Sequence, residues 1–218
     1  MAELLRTDRL SLRGPRGWVY RDVTFAAAPG ELVAVEGPPG SGRTSLLLTL
    51  AGRMKPSSGS ARIGDHSLPG ELFEVQRIAA LGLVPGVSAL EPGLTVIEQF
   101  RERELLSLRL RVSRQTPAAL EAWLGVPPTT LVRDLDALRK HLLGIAMALV
   151  GSPRLIIADD VDVGVRATDQ VTLWERLALV ARRGITVLAS CCDAGPAAEV
   201  ADLVVPLHHY SGNGYAPL

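Results

Sequence analysis

The sequence predicts an α/β fold: a mostly parallel core sheet with an N-terminal antiparallel β region and a small helical subdomain. Three observations predict it. Short runs rich in valine and isoleucine alternate with stretches of helical periodicity along the chain. One such run, ELVAVEG from Glu31 to Gly37, passes directly into the glycine-rich stretch GPPGSGRTS and then into a helix. Another, LIIAD from Leu155 to Asp159, is a buried-strand pattern that ends in a carboxylate.

In chain order, Leu4–Arg13 and Trp18–Ala28 read as strands, closed by the turn Pro29-Gly30. Glu31–Gly37 is a buried strand, and RTSLLLTLAG continues as a helix from Arg43 to near Gly52. KPSSGSARIG reads as a turn and an edge strand, and IAALGLVPG as a strand ending at Pro85. TVIEQFRERELLSLRLRV has helical spacing and a basic outer face, and Arg101, Arg103, Arg109, Arg111 and Arg114 lie in that stretch or just after it as candidates to grip phosphate. Interspersed glutamates make that face a solvated one in preference to a phosphate grip. TPAALEAWLG is a short helix with Thr116 as cap and Pro117 at its first position. The apolar helix KHLLGIAMALVG precedes the strand SPRLIIADD. A helix (Asp169–Arg182), a strand (Ile185–Ser190), a helix (Pro196–Ala201) and a strand (Leu203–Leu207) complete the alternation. The chain thus reads as a single domain, 1–218, with Arg101–Arg133 as an insertion in a helical subdomain of about residues 87–150 and a loose tail at about 209–218.

Composition narrows the function classes. Hydrophobic residues make up 47% and charged residues 21% of 218, which excludes global disorder. Lys plus Arg equals Asp plus Glu at 23 each, so there is no electrostatic reason to expect nucleic acid. The longest apolar stretch, Leu142–Gly151, falls far short of the roughly 20 residues that span a bilayer. The segment MAELLRTDRL lacks the apolar run of a signal peptide. Cys191 and Cys192 are adjacent and imply no disulfide framework. A cytoplasmic protein without direct membrane insertion is expected, reaching the inner face of a membrane only through a partner.

The stretch Gly37-Pro38-Pro39-Gly40-Ser41-Gly42-Arg43-Thr44-Ser45 has the spacing of a phosphate-binding loop. Gly40 and Gly42 permit positive φ, so that backbone N–H groups can converge on phosphate oxygens. The helix beginning near Arg43 directs its positive end at the same place. Thr44 supplies a hydroxyl for Mg²⁺, with Asp159 opposite it holding the metal through water. Asp160 is the candidate to polarise an attacking water. The competing reading is a plain glycine turn; the agreement of strand, loop and helix disfavours it. One residue is out of pattern: the motif's lysine is Arg43.

Over nearly its whole length the chain resembles the ATP-binding cassette (ABC) ATPases. GPPGSGRTSLL, LVPGVSALEPGLTVIEQF, IAMALVGSPRLIIADD and TVLASCCD with ADLVVPL follow that family's order and spacing. The resemblance implies a P-loop NTPase fold of the ABC type, ATP and Mg²⁺ as cofactors, a transmembrane transporter subunit as partner and a second ATP-binding subunit in a dimer. It also marks departures. Arg43 stands for the loop lysine, Gly86 for a glutamine, Asp160 for the catalytic glutamate and Cys192 for the switch histidine. The signature that clamps ATP on the opposite subunit aligns with Leu135-Asp136-Ala137-Leu138-Arg139, where Asp136 would bring negative charge towards a phosphate. The loop after the acid pair reads Val163-Gly164-Val165-Arg166, and only Trp18 or Tyr20 offers a ring to stack adenine.

Arginine keeps the charge of lysine, but its planar fork is larger, so Arg43 either holds ATP in a shifted pose or fills the pocket itself. The expected function is an ATP-binding subunit of an ABC-type transporter with weak or absent hydrolysis. The alternatives are an interaction module that no longer binds nucleotide, and a P-loop kinase of a small molecule. Minor readings weigh less: a redox or metal role for Cys191-Cys192, a metal shared by Asp159, Asp160 and Asp162, and ligand roles for His208 and His209, which read as surface residues.

Overall fold

A computed structural model of the protein describes residues 3–106, 116–211 and 214–215. The elements in chain order are β1 (Leu5–Gly14), β2 (Gly17–Val23), β3 (Ala26–Ala27), β4 (Leu32–Glu36), α1 (Arg43–Leu50), β5 (Ser58–Ile63), β6 (His66–Leu68), α2 (Leu72–Ile78) and β7 (Ala79–Leu81). They continue as α3 (Val96–Leu106), α4 (Pro117–Leu124), α5 (Ala137–Leu149), β8 (Leu155–Ala158), α6 (Ala167–Ala181), β9 (Thr186–Cys191), β10 (Leu203–Pro206), β11 (Tyr210–Ser211) and β12 (Gly214–Tyr215).

The core sheet runs β10-β4-β9-β8-β7, and every pairing in it is parallel. Its strands are apolar throughout because both faces are covered, and successive side chains take opposite faces. Leu32, Ala34, Ile156, Val187 and Ala189 join the core beneath α5 and α6, around the fully buried Trp174. The alternate residues Val33, Val35, Leu155, Ile157 and Leu188 pack instead with Leu46, Leu47 and Leu50 of α1. This second layer also takes the inner face of an antiparallel sheet, β2-β1-β5-β6, with β3 paired to β1. The expected α/β architecture and its antiparallel N-terminal region are therefore both present.

The structure corrects several local readings. β5 is interior, because Gly64-Asp65 forms a two-residue turn that returns β6 against it, with Ile63 opposite His66. The strand read over Ile78–Gly86 shrinks to Ala79–Leu81; beyond it the chain folds into a turn in which Ser88 Oγ accepts from Val84 N at 2.8 Å. α2 is an additional helix with a weak sequence signal, since Val75 is its one buried residue and Phe73 is 78% exposed. The helix read at Pro196–Ala201 is a single 3₁₀ turn, Gly195–Ala197. β2 ends at Val23, after Asp22 adopts a positive φ of 52°. Thr116 caps α4 as expected, its hydroxyl accepting from Ala119 N at 3.1 Å. The tail read as loose carries the short ladder Tyr210↔Tyr215 and Ser211↔Gly214. Arg109, Arg111 and Arg114 lie outside the described residues; Arg101 is exposed on α3. Among the described residues no helix is long and apolar enough to cross a membrane.

His141 on α5 is 5% exposed, and its Nδ1 has no hydrogen-bond partner among the described residues. Burial pushes its pKa down to about 4, with Asp160 and Asp162 opposing weakly. The unfolded chain takes this proton near pH 6.5, so it binds more protons than the folded chain between those values. Stability is then lost as pH falls from 6.5 towards 4, by about 2 kcal/mol at pH 5. Urea unfolding at pH 7 and pH 5 should show that loss in the native sequence and a smaller one in His141→Leu.

Candidate functional site

β4 delivers the chain to the loop at the carboxyl edge of the parallel sheet, where sites of such sheets lie. Gly37 anchors the turn: its N–H donates to Cys191 O at 3.1 Å, and a Cβ there would fall 2.6 Å from both Leu207 O and Ser41 Oγ. Ser41 N closes the turn on Pro38 O at 3.1 Å. Gly40 and Gly42 take φ of 83° and 91°, as the spacing required. Gly42 is the N-cap of α1 and offers no side chain, so the helix start is uncapped. Among the described residues nothing accepts from the amides of Gly42, Arg43, Thr44 and Ser45. They border an open hollow of about 440 Å³ that Val19, Asp160, Val163 and Cys192 close on the other side.

The acids arrive from β8, whose residues are all buried. Asp159 is 1% exposed; its Oδ2 accepts from Thr44 Oγ1 at 2.7 Å and its Oδ1 from Ser190 Oγ at 2.5 Å. Burial raises its pKa, and the bonds from Ser190 and Thr44 offset part of that rise. Ser190 also accepts from Asp160 N at 2.8 Å, which helps hold Asp160 at a positive φ of 48°. Sequence reading gave Ser190 no role. A lone hydroxyl near the end of an apolar strand, beside the acid strand, was the available signal.

Arg43, the residue out of pattern in the loop, has its partners in Asp160 and Cys192. Its side chain is 7% exposed and extends across the hollow to the acid loop. Nη2 donates to Asp160 Oδ1 at 2.6 Å and Nη1 to Cys192 Sγ at 3.4 Å. Burial alone would depress its pKa; the bonds to Asp160 and Cys192 outweigh that and leave it raised, so the guanidinium is charged. Nε is buried with no acceptor. The guanidinium is thus a strut between loop and acid pair.

The remaining candidates separate. Asp159, Asp160 and Asp162 do not form a shared metal site: Asp162 turns away to accept from Cys192 N at 2.7 Å, and no cluster of three ligating residues exists among the described residues. Cys191 is buried and its thiol pKa is pushed up to about 12, chiefly by burial, while Cys192 is exposed. Asp136 is the N-cap of α5, accepting from Arg139 N at 2.9 Å and pairing with the Arg139 guanidinium. Gly86 has a φ of 78° and open space where a side chain would project. Tyr20 cannot stack on a base: it is fully buried, and its hydroxyl donates to Thr49 Oγ1 at 2.8 Å. Trp18 has the guanidinium carbons of Arg13 and Arg21 over its ring, 5.6 and 5.3 Å from the centroid. His208 and His209 are exposed, but a Cβ at Gly40 would lie 3.4 Å from His209 Cδ2, which places that ring against the loop.

The fit of a phosphate ligand and a divalent metal rests on these atoms. Among the described residues the amides of Gly42 to Ser45, the buried Ser41 Oγ and the buried Arg43 Nε have no partner, and these residues line the hollow. The hydroxyl and carboxylate of Thr44 and Asp159 are hard oxygen donors of the kind Mg²⁺ takes. The groups fit.

Residues 20–162 match the family model described as "ABC transporter". The chain is 32% identical over 182 residues to "Probable multidrug ABC transporter ATP-binding protein YbhF" of Escherichia coli, covering 81% of this chain and 31% of that protein. It is 30% identical over 173 residues to "Nod factor export ATP-binding protein I" of Cupriavidus pinatubonensis, covering 78% of this chain and 53% of the relative. The chain therefore spans a third to a half of the length of these relatives. Among solved structures, CbiO1 of Clostridium perfringens, part of the ABC transporter complex CbiONQ, superposes with a TM-score of 0.77 at 17% identity, covering 95% of this chain and 85% of that one.

Proposed function

We propose, from the premise that this chain belongs to the ABC transporter family, that it is a nucleotide-binding cassette which holds ATP or its product and hydrolyses it little or not at all. One observation carries the second half: the Arg43 guanidinium is spent on Asp160 and Cys192. Asp160 is the carboxylate next to the metal-site acid, and its Oδ1 accepts from a charged donor. A cysteine sulfur at the neighbouring position offers no strong charged donor to a developing phosphate charge. Displacement of a reacting group by about 1 Å can cost on the order of a hundredfold in rate, and here one oxygen of the base candidate is already paired with Arg43.

Binding relies on parts that are intact. The amides from Gly42 to Ser45 and the positive end of α1 receive phosphate, and Thr44 and Asp159 would hold Mg²⁺. When bound, the metal supplies neutralisation of phosphate charge. Ser190 keeps Asp159 oriented toward Thr44. By likeness to the relatives, the proposal includes a transmembrane transporter subunit and a second cassette as partners, at the cytoplasmic face of a membrane.

Calorimetric titration with nucleotide and Mg²⁺, paired with a phosphate-release assay, tests this reading. Binding at micromolar concentration with turnover at least a hundredfold below that of Arg43→Lys/Asp160→Glu is the expected result. No binding at millimolar nucleotide would leave an interaction module, rapid turnover by the unaltered chain would refute the hydrolysis claim, and transfer of phosphate to a small acceptor would point to a kinase.

A further inference from the structure

We infer that the site selects a nucleoside diphosphate over a triphosphate, an inference that rests on the reading that the loop binds nucleotide. In loops of this type the hydroxyl and the acid would hold a metal that neutralises phosphate charge. Thr44 and Asp159 would hold it here, hydrogen-bonded to each other at 2.7 Å. Beyond it the hollow is bounded by Asp160 and Cys192, and the Arg43 fork already lies on those two groups.

A second phosphate needs no rearrangement of this fork. The amides of Gly42 to Ser45, from which nothing accepts among the described residues, can receive it while Nη2 stays on Asp160. One ligand would then satisfy the amides that the loop leaves open. A third phosphate meets the opposite situation. It must displace Nη2 from a carboxylate 2.6 Å away, in a side chain only 7% exposed. Once displaced, Asp160 faces the phosphate as a like charge, and Asp162, whose Oδ1 is buried without a partner, stands in the same loop. If the fork stays, the third phosphate loses the cation that the loop normally supplies and must point out to solvent. Either course costs the triphosphate affinity and leaves the diphosphate unaffected.

Titration of the full chain with ADP and with ATP, each with Mg²⁺, reads this directly. ADP is expected to bind about tenfold or more tightly than ATP. Arg43→Lys, whose single ammonium cannot bridge Asp160 and Cys192 together, should bring the ratio to within about threefold or reverse it. Asp160→Asn, which removes the charge that ties the fork, should narrow the ratio as well and serves if the lysine variant does not fold. ATP binding as tightly as ADP in the unaltered chain overturns the inference while leaving nucleotide binding standing. Binding of neither at millimolar concentration overturns the binding reading and this inference with it. Unchanged ratios in both variants would show that the fork does not set the preference.

Discussion

Gly42→Ala is expected to destabilise the protein by about 3 kcal/mol or more and to abolish nucleotide binding. Two costs coincide at this residue. Its φ of 91° is unfavourable for any residue with a Cβ, and the added carbon would overlap the Val19 carbonyl oxygen and lie 3.0 Å from the Val19 carbonyl carbon. Neither β2 nor the loop can yield without moving the start of α1, which is the origin of the unpaired amides. Gly184→Ala provides the matched comparison. Its φ is 89°, but nothing lies within 4 Å of the added carbon, so only the backbone cost of about 1–2 kcal/mol applies. Denaturant unfolding and calorimetry on both variants check the difference; equal losses would mean that the contact with Val19 is unimportant.

Arg43→Ala is expected to cost about 3 kcal/mol, the lower end of what breaking a buried ion pair costs, because the Asp160 side chain retains 27% exposure. The loss arises from the carboxylate left behind as much as from the bond removed. Asp160→Ala in the same background should therefore recover part of it, and a double-mutant cycle should give a coupling of about 1–2 kcal/mol. A coupling near zero would place the pair with the exposed ion pairs that contribute little, such as Arg9 with Asp8.

How much of this was legible in the sequence differs from element to element. The strand-loop-helix of Leu32–Leu50 was, because its pattern is local: valine alternation, glycines where φ turns positive, and leucines on a helix that follows at once. Asp159 was legible for the same reason, at the end of an unbroken apolar strand. β6 and α2 were not, since a strand of three residues and a helix with one buried side chain give no periodicity to detect. Asp136, which the resemblance sets in the signature stretch, is also a helix cap, a role that its position before Ala137 already allowed. The state of Arg43 could not be read. Its partners lie 117 and 149 residues away in sequence, and whether the fork points to phosphate or to carboxylate is decided by packing that no spacing reports.

The central claim is that Arg43 stays tied to the acid loop when the cradle is filled. A crystal structure of the protein with ADP and Mg²⁺ measures this directly. The account predicts phosphate on the amides of Gly42 to Ser45, with Nη2 of Arg43 still within hydrogen-bond distance of Asp160 Oδ1. A guanidinium swung onto the phosphates, with Asp160 released to solvent or water, would contradict it.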